Sequence, residues 1–226
     1  KLGYSLIHTP DYTKYARLKI IVRNIKTTSG TRKNPKRTTQ KLIAQDIKNI
    51  IFELDGLSVF PLMTKKEIAI YQALDVITED QLQYFQLDFE SNSLPMNLLN
   101  TRGKNHLAEE TVLYLTSLPI KPPDYYKQLA LSLNNRVAEL SLILNKSEED
   151  GLNWFKDPFI QKIYSEEILS ELVQIIHRTN VRRLNEDSDK PVYIYIASHL
   201  CDFLAELFEP YENIIFISDD ALRDKL

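Results

Sequence analysis

Three side chains suited to binding phosphate recur at helical spacing late in the chain: Gln174, Arg178 and Arg182. Residues four apart lie on the same side of a helix, so these three are predicted to form one row. An arginine offers a fixed fork of donors and keeps its charge near neutral pH, which suits it to phosphate oxygens. The row therefore predicts charge stabilisation of a phosphate-bearing ligand, as in phosphoryl transfer.

The row requires a helix, and the sequence predicts one from Ser165, as its N-terminal cap, to about Leu184. A separate apolar stripe is predicted to face a sheet; it contains Leu169, Leu172, Val173 and Ile176. The segment before this helix, residues 147–164, is predicted to be irregular.

Positive charge is concentrated near the beginning of the chain, although the whole chain has a formal net charge of −3. No acidic residue occurs between Tyr12 and Gln45. The basic residues there are Lys14, Arg17, Lys19, Arg23, Lys26, Arg32, Lys33, Lys36, Arg37 and Lys41. This asymmetry predicts a polyanionic partner, contacted through its phosphates by the polar loop at 27–39. The predicted contacts in that loop are Arg32, Lys33, Lys36 and Arg37.

Strand and helix patterns alternate along the rest of the chain. Strands are predicted at 17–25, 57–63, 83–89, 111–118, 191–196 and 213–217. Helices are predicted at 38–54, 65–74, 123–134, 165–184 and 198–208. The runs 112–115 and 192–196 are continuously apolar, as expected for strands covered on both faces. The alternation predicts an α/β fold with a mainly parallel sheet. Residues 1–39 are predicted to be a basic N-terminal strand and loop, and 40–226 one lobe.

Several functional classes find no support in the composition. Cys201 is the only cysteine, which excludes a disulfide framework and favours a reducing, cytoplasmic compartment. The four histidines lack metal-ligand spacing, so no metal site is predicted. No apolar run reaches the length of a membrane span, and no membrane partner is expected. Because the chain begins with Lys1, we expect it to be an excised part of a longer protein.

The segment from Gln174 to Arg182 resembles motif VI of superfamily-2 helicases. In that motif a glutamine, an arginine one turn later and a second arginine face the nucleotide of a partner lobe. Gln174, Arg178, Thr179 and Arg182 match the pattern, which is closest to DEAD/DEAH-like helicases of phages and mobile elements. The apolar run at 192–196 matches the strand that follows the motif.

Two other segments resemble helicase motifs V and IV. Residues 101–105, Thr-Arg-Gly-Lys-Asn, precede an apolar strand as motif V does. The resemblance implies that Arg102, Gly103 and Asn105 link a nucleic-acid groove to a nucleotide cleft. Residues 59–66 stand where motif IV occurs, and its predicted backbone contacts are Thr64, Lys65 and Lys66.

These resemblances imply a RecA-like three-layer sandwich, the C-terminal lobe of a DNA or RNA helicase. ATP and Mg²⁺ would be held mainly by the N-terminal RecA-like lobe of the same protein, which this chain lacks. Arg178 and Arg182, with Gln174, would reach that ATP. No G-x-x-x-x-G-K-[ST] sequence occurs, so the isolated chain is expected to bind no cofactor and to be inactive as an ATPase.

Other interpretations stay open at this point. The arginines would be ordinary surface residues if they paired with Glu167 or Glu171. The basic interval would then serve a non-catalytic α/β nucleic-acid-binding module, or the chain would be a degenerate RecA-like protein-interaction domain. The helicase interpretation expects the row to project from the carboxyl edge of the sheet, near Arg102 and Asn105.

Overall fold

One parallel sheet organises the chain. The computed structural model describes residues 17–86, 94–101, 106–133, 141, 155–182, 190–211 and 214–219. The strands in that part are β1 (Leu18–Arg23), β2 (Phe60–Leu62), β3 (Val112–Leu115), β4 (Val192–Ala197) and β5 (Ile215–Asp219). They pair in the order β2-β3-β4-β1-β5, and every pairing is parallel. The predicted α/β class with a parallel central sheet is confirmed.

Helices occupy the connections between the strands. In the described residues they are α1 (Ser29–Arg32), α2 (Thr38–Glu53), α3 (Ile68–Gln72), α4 (Glu79–Leu82), α5 (Pro123–Leu133), α6 (Pro158–Ile176) and α7 (Cys201–Phe208). Short 3-10 turns lie at Gln83–Phe85, His106–Glu109 and Asn180–Arg182. Most predicted elements are therefore present, with their ends shifted by a few residues.

Helix α2 covers one face of the sheet. Its Asp46 carboxylate accepts a hydrogen bond of 2.8 Å from the hydroxyl of Tyr114, in the middle of β3. The same carboxylate lies 3.3 Å from Nε of Arg23, at the end of β1. Burial raises the pKa of Asp46, while the Arg23 charge and the Tyr114 hydrogen bond oppose that shift. These two polar contacts fix where α2 crosses an otherwise apolar surface.

The opposite face is covered by α5, α6 and α7. The chain crosses from β1 to β2 in one direction and from β3 to β4 and β4 to β5 in the other. Because parallel crossovers are right-handed, these helices lie on the face away from α2. Their rings interlock, with centroid distances of 5.2 Å from Tyr126 to Tyr164 and 5.7 Å from Tyr164 to Phe203. Helices on both faces are consistent with the RecA-like three-layer sandwich.

Three local predictions need correction. The strand predicted at 83–89 is wrong for 83–85, which form a 3-10 turn; 87–89 lie outside the described residues. The predicted cap at Ser165 is also wrong, because α6 begins at Pro158 and Asp157 caps it, accepting from Phe159 N and Ile160 N. Strand β1, from the basic segment 1–39, lies between β4 and β5, so this segment contributes to the sheet itself.

A lysine pins the connection after β3 to α6. The ammonium group of Lys121 lies 3.0 Å from a Glu167 oxygen and 2.9 Å from a Glu171 oxygen. It also donates to the Tyr125 hydroxyl at 3.2 Å. Burial lowers the pKa of Lys121, but the three hydrogen bonds outweigh it and the pKa lies above its ordinary value. Lys121 therefore stays charged and joins α5 and α6 through their polar sides.

We expect Lys121→Met to lower the free energy of unfolding by about 1–3 kcal/mol, because two partly buried carboxylates lose their cation. The measurement is urea unfolding at neutral pH. Lys127→Met is the matched control, since its partner Asp124 is largely exposed and the pair is 3.6 Å apart. The control should cost less than about 1 kcal/mol. Equal effects would contradict the account of this contact.

Candidate functional site

The parallel sheet has two edges with different connections. Loops that follow the strands gather at the carboxyl edge, and helices that precede the strands end at the amino edge. The chain leaves β1 toward β2 and leaves its neighbour β4 toward β5, in opposite directions. Such a switch point opens a crevice at the carboxyl edge in parallel α/β sheets. A six-residue strand spans about 20 Å, so the two edges are separate binding surfaces.

The arginine row predicted on α6 does not exist as a helical row. Helix α6 ends at Ile176, and its continuation is a turn followed by the 3-10 turn Asn180–Arg182. Buried Thr179 ends the helix by donating its hydroxyl hydrogen to the Ile176 carbonyl at 2.6 Å. Gln174 lies on α6 and donates to Ser170 at 3.2 Å, whereas Arg178 lies beyond the last helical residue.

The edge expected for these residues is also wrong. The segment 177–182 lies at the amino edge, because α6 leads into β4 and must deliver the chain to the start of that strand. Asn180 N donates to Glu110 O at 3.0 Å, just before β3. The Arg17 guanidinium, just before β1, donates to Asn180 O at 2.5 Å and to Asn180 Oδ1 at 3.1 Å. Asn180 is thus tied to the beginnings of two strands.

The turn that follows the motif V segment meets the end of the motif VI segment at this amino edge. The 3-10 turn His106–Glu109, which follows the motif V segment, contacts the 3-10 turn Asn180–Arg182. Arg102, Gly103 and Asn105 themselves lie outside the described residues. Burial, followed by the charge of Glu109, raises the pKa of Glu110 beside this contact. Residues more than seventy positions apart in sequence thus form one surface.

Arg178 sits in this surface between fixed neighbours. His177 before it is exposed, Arg178 is half-buried, and Thr179 and Asn180 after it are buried. The acids that would have made the arginines an ordinary surface pair have another partner, since Glu167 and Glu171 both bind Lys121. The Arg178 backbone lies between the end of α6 at Ile176 and Asn180, which Arg17 holds.

The carboxyl edge brings together the other group of predicted residues. Arg32, at the end of α1, lies 3.4 Å from a Glu67 oxygen and donates to the Ser117 hydroxyl at 3.1 Å. The same Glu67 oxygen accepts from the Thr64 hydroxyl at 2.5 Å. Gln40, in the first turn of α2, donates to the Arg32 carbonyl at 2.7 Å. Arg32 therefore reaches across the ends of β2 and β3.

Exposed cations surround this cluster. They are Lys33, Lys36, Arg37, Lys65 and Lys66. Helix α2 begins among them with Arg37 in a left-handed conformation (φ 53°), no side-chain cap and no acid in its first turn. Free backbone N–H groups at a helix start favour anions. The carboxyl edge thus presents one positive surface, which we call the basic edge: Arg32, Lys33, Lys36, Arg37, Thr64, Lys65 and Lys66.

Sequence patterns did not single out the residues that organise either edge. Glu67 and Gln40 are buried polar residues inside predicted helices, and nothing in their spacing separates them from solvated helix positions. Arg17 was one of ten basic residues, and its bonds to Asn180 join positions 163 residues apart. Only the three-dimensional contacts distinguish these anchors from their neighbours.

Comparisons with protein-family models, curated proteins and solved structures found no match to this chain. In the part of the chain that the structure describes, no cluster of three or more His, Cys, Asp or Glu residues could hold a metal ion. No helix in the same residues is both long and apolar enough to cross a membrane.

We expect Thr179→Val to lower the free energy of unfolding by about 1 kcal/mol, because the buried hydroxyl both donates to Ile176 O and accepts from Val181 N. Thermal unfolding followed by circular dichroism measures the loss. Thr38→Val, at an exposed position that begins α2, is the control and should change stability by less than about 0.5 kcal/mol. A neutral Thr179→Val would show that another contact ends α6.

Proposed function

We propose that the chain is the second motor lobe of an ATP-dependent nucleic-acid helicase. A first lobe elsewhere in the protein would hold ATP and Mg²⁺, and the amino edge of this lobe would face it. Arg178, with Arg182 nearby in sequence, would supply positive charge to the triphosphate, and Gln174 would offer an uncharged amide donor. In phosphoryl transfer such an arginine contributes on the order of a thousandfold or more to the rate.

One observation carries the proposal: the 3-10 turn His106–Glu109, which follows the motif V segment, contacts the 3-10 turn Asn180–Arg182, where the motif VI segment ends. Asn180 and Thr179 also hold the turn on both sides of the Arg178 position, so its backbone is fixed before any partner arrives. Preorganised charge is what transition-state stabilisation needs.

The basic edge would form part of the nucleic-acid track. Its cations lie on two connections, after β1 and after β2, which gives an extended positive surface suited to consecutive backbone phosphates. None of these contacts reads bases, so binding would depend on salt and tolerate any sequence. Because this edge lies opposite Arg178, closure of the first lobe on ATP would act on the track through the sheet.

A second candidate function rests on the basic edge alone. The chain would then be a non-catalytic nucleic-acid-binding module, with the amino edge serving only to complete the fold. The observation in its favour is the cation-rich carboxyl edge at the switch point of the sheet. The two functions differ in one respect: only the helicase requires Arg178 for ATP turnover.

We expect Arg178→Ala, in the protein that carries this chain with a first lobe, to reduce ATP turnover at least about a thousandfold. Folding should be retained because Arg178 is only half-buried. Lys162→Ala, at an exposed position on α6 with a weak 3.7 Å contact to Glu166, is the control. A phosphate-release assay measures both. Unchanged turnover in Arg178→Ala would reject the helicase proposal and leave the binding module.

We expect the triple variant Lys33→Ala, Lys36→Ala, Arg37→Ala to weaken binding of single-stranded DNA and to flatten its salt dependence. Each lost phosphate contact should remove about 0.7 from the slope of log affinity against log salt. Fluorescence anisotropy measures this slope. The charge-matched control is Lys127→Ala, Lys156→Ala, Lys162→Ala. An equal loss in the control would show that net charge, rather than the basic edge, governs binding.

A further inference from the structure

A buried acid, Glu67, lies among the cations of the basic edge. Glu67, immediately before α3, is only 5 % exposed. One of its oxygens accepts from the Thr64 hydroxyl and pairs with Arg32. Arg32 and Thr64 come from connections that follow different strands. Arg32 was predicted as a phosphate contact from the basic interval, and Thr64 from the resemblance to motif IV. Glu67 is bonded to both.

A buried carboxylate beside a nucleic-acid-binding surface weakens nucleic-acid binding unless it also orients a group that contacts the nucleic acid. Its charge repels phosphate, and its desolvation is costly. The burial of Tyr71, followed by the charge of Glu67, raises the Tyr71 pKa well above its ordinary value, so that carboxylate acts on a poorly solvated cluster. A polar residue retained at this cost is expected to fix geometry.

We propose that Glu67 is a positioning residue that holds the Arg32 guanidinium so that its Nη2 donates to one backbone phosphate of a single-stranded nucleic acid. The inference rests on the proposed role of the basic edge. Arg32 uses Nη1 for Glu67 and Ser117. Because Nη1 is held, the whole Arg32 guanidinium keeps one orientation. Its side-chain conformational entropy is therefore lost when the chain folds and not when the nucleic acid binds.

Positioning and simple electrostatics predict opposite results for Glu67→Gln. Removing a negative charge from a phosphate-binding surface should tighten binding if Glu67 acts only through its charge. If Glu67 positions Arg32, the same change should weaken binding about tenfold, the value of one charge-assisted contact. Glu67→Asp keeps the charge but shortens the side chain, so it too should weaken binding. Glu53→Gln, at the far end of α2, controls for net charge.

The experiment measures the affinity of the purified chain for a short fluorescein-labelled single-stranded DNA by anisotropy, from about 50 to about 200 mM salt. Each Glu67 variant is tested with Arg32 and with Arg32→Ala, and each is melted to verify folding. We expect Glu67→Gln and Glu67→Asp to weaken binding and to lower the salt slope by about 0.7. In the Arg32→Ala background, neither should weaken binding further.

Each alternative result has a definite meaning. Tighter or unchanged binding by Glu67→Gln overturns the positioning role while the basic edge stands. A loss that persists in the Arg32→Ala background also overturns it, because Glu67 would then act without Arg32. If both Glu67 variants fail to fold, Glu67 is a residue of the fold and the proposal is wrong. Absence of DNA binding by the unaltered chain rejects the basic edge itself.

Discussion

The five strands in the described part of the chain all run in the same direction, and this direction decides where the connecting segments lie. It sends every loop after a strand to one edge and every helix end before a strand to the other. The basic interval follows β1 and the Thr64 segment follows β2, so their cations share the carboxyl edge. Segment 177–182 precedes β4 and residues 106–110 precede β3, so they share the amino edge. Both candidate surfaces are consequences of strand direction.

Each edge is organised by polar contacts between segments that are remote in sequence. At the amino edge, the backbone groups of Asn180 bond outside the helix: its carbonyl accepts from Arg17, and its N–H donates to the Glu110 carbonyl. At the carboxyl edge, Glu67 gathers Arg32 and Thr64. Such contacts contribute little net stability compared with the apolar core, but they choose one arrangement among many. For a binding surface, one defined arrangement of the side chains matters more than added stability.

The sequence predicted the sheet better than the site, for a physical reason. Buried strands such as β3 are continuous apolar runs, and their pattern is visible locally. The end of α6 is not marked by glycine or proline. Thr179 bonds back to the Ile176 carbonyl, and Asn180 is held by Arg17, which is remote in sequence. The start of α6 does carry a local sequence signal, the Asp157-Pro158 pair, although the cap was predicted at Ser165 instead. The amino-edge position of Arg178 also follows from strand order alone, once the strand after it is known to be parallel.

In the proposed helicase, the amino edge, centred on Arg178, faces ATP held by a first lobe. Hydrogen–deuterium exchange on the protein carrying both lobes tests this arrangement most directly, with and without a non-hydrolysable ATP analogue. We expect nucleotide to slow amide exchange in residues 177–182 and 106–110, and to change it less in residues 32–41 at the basic edge. Slowed exchange at 32–41, with none at 177–182, would contradict it.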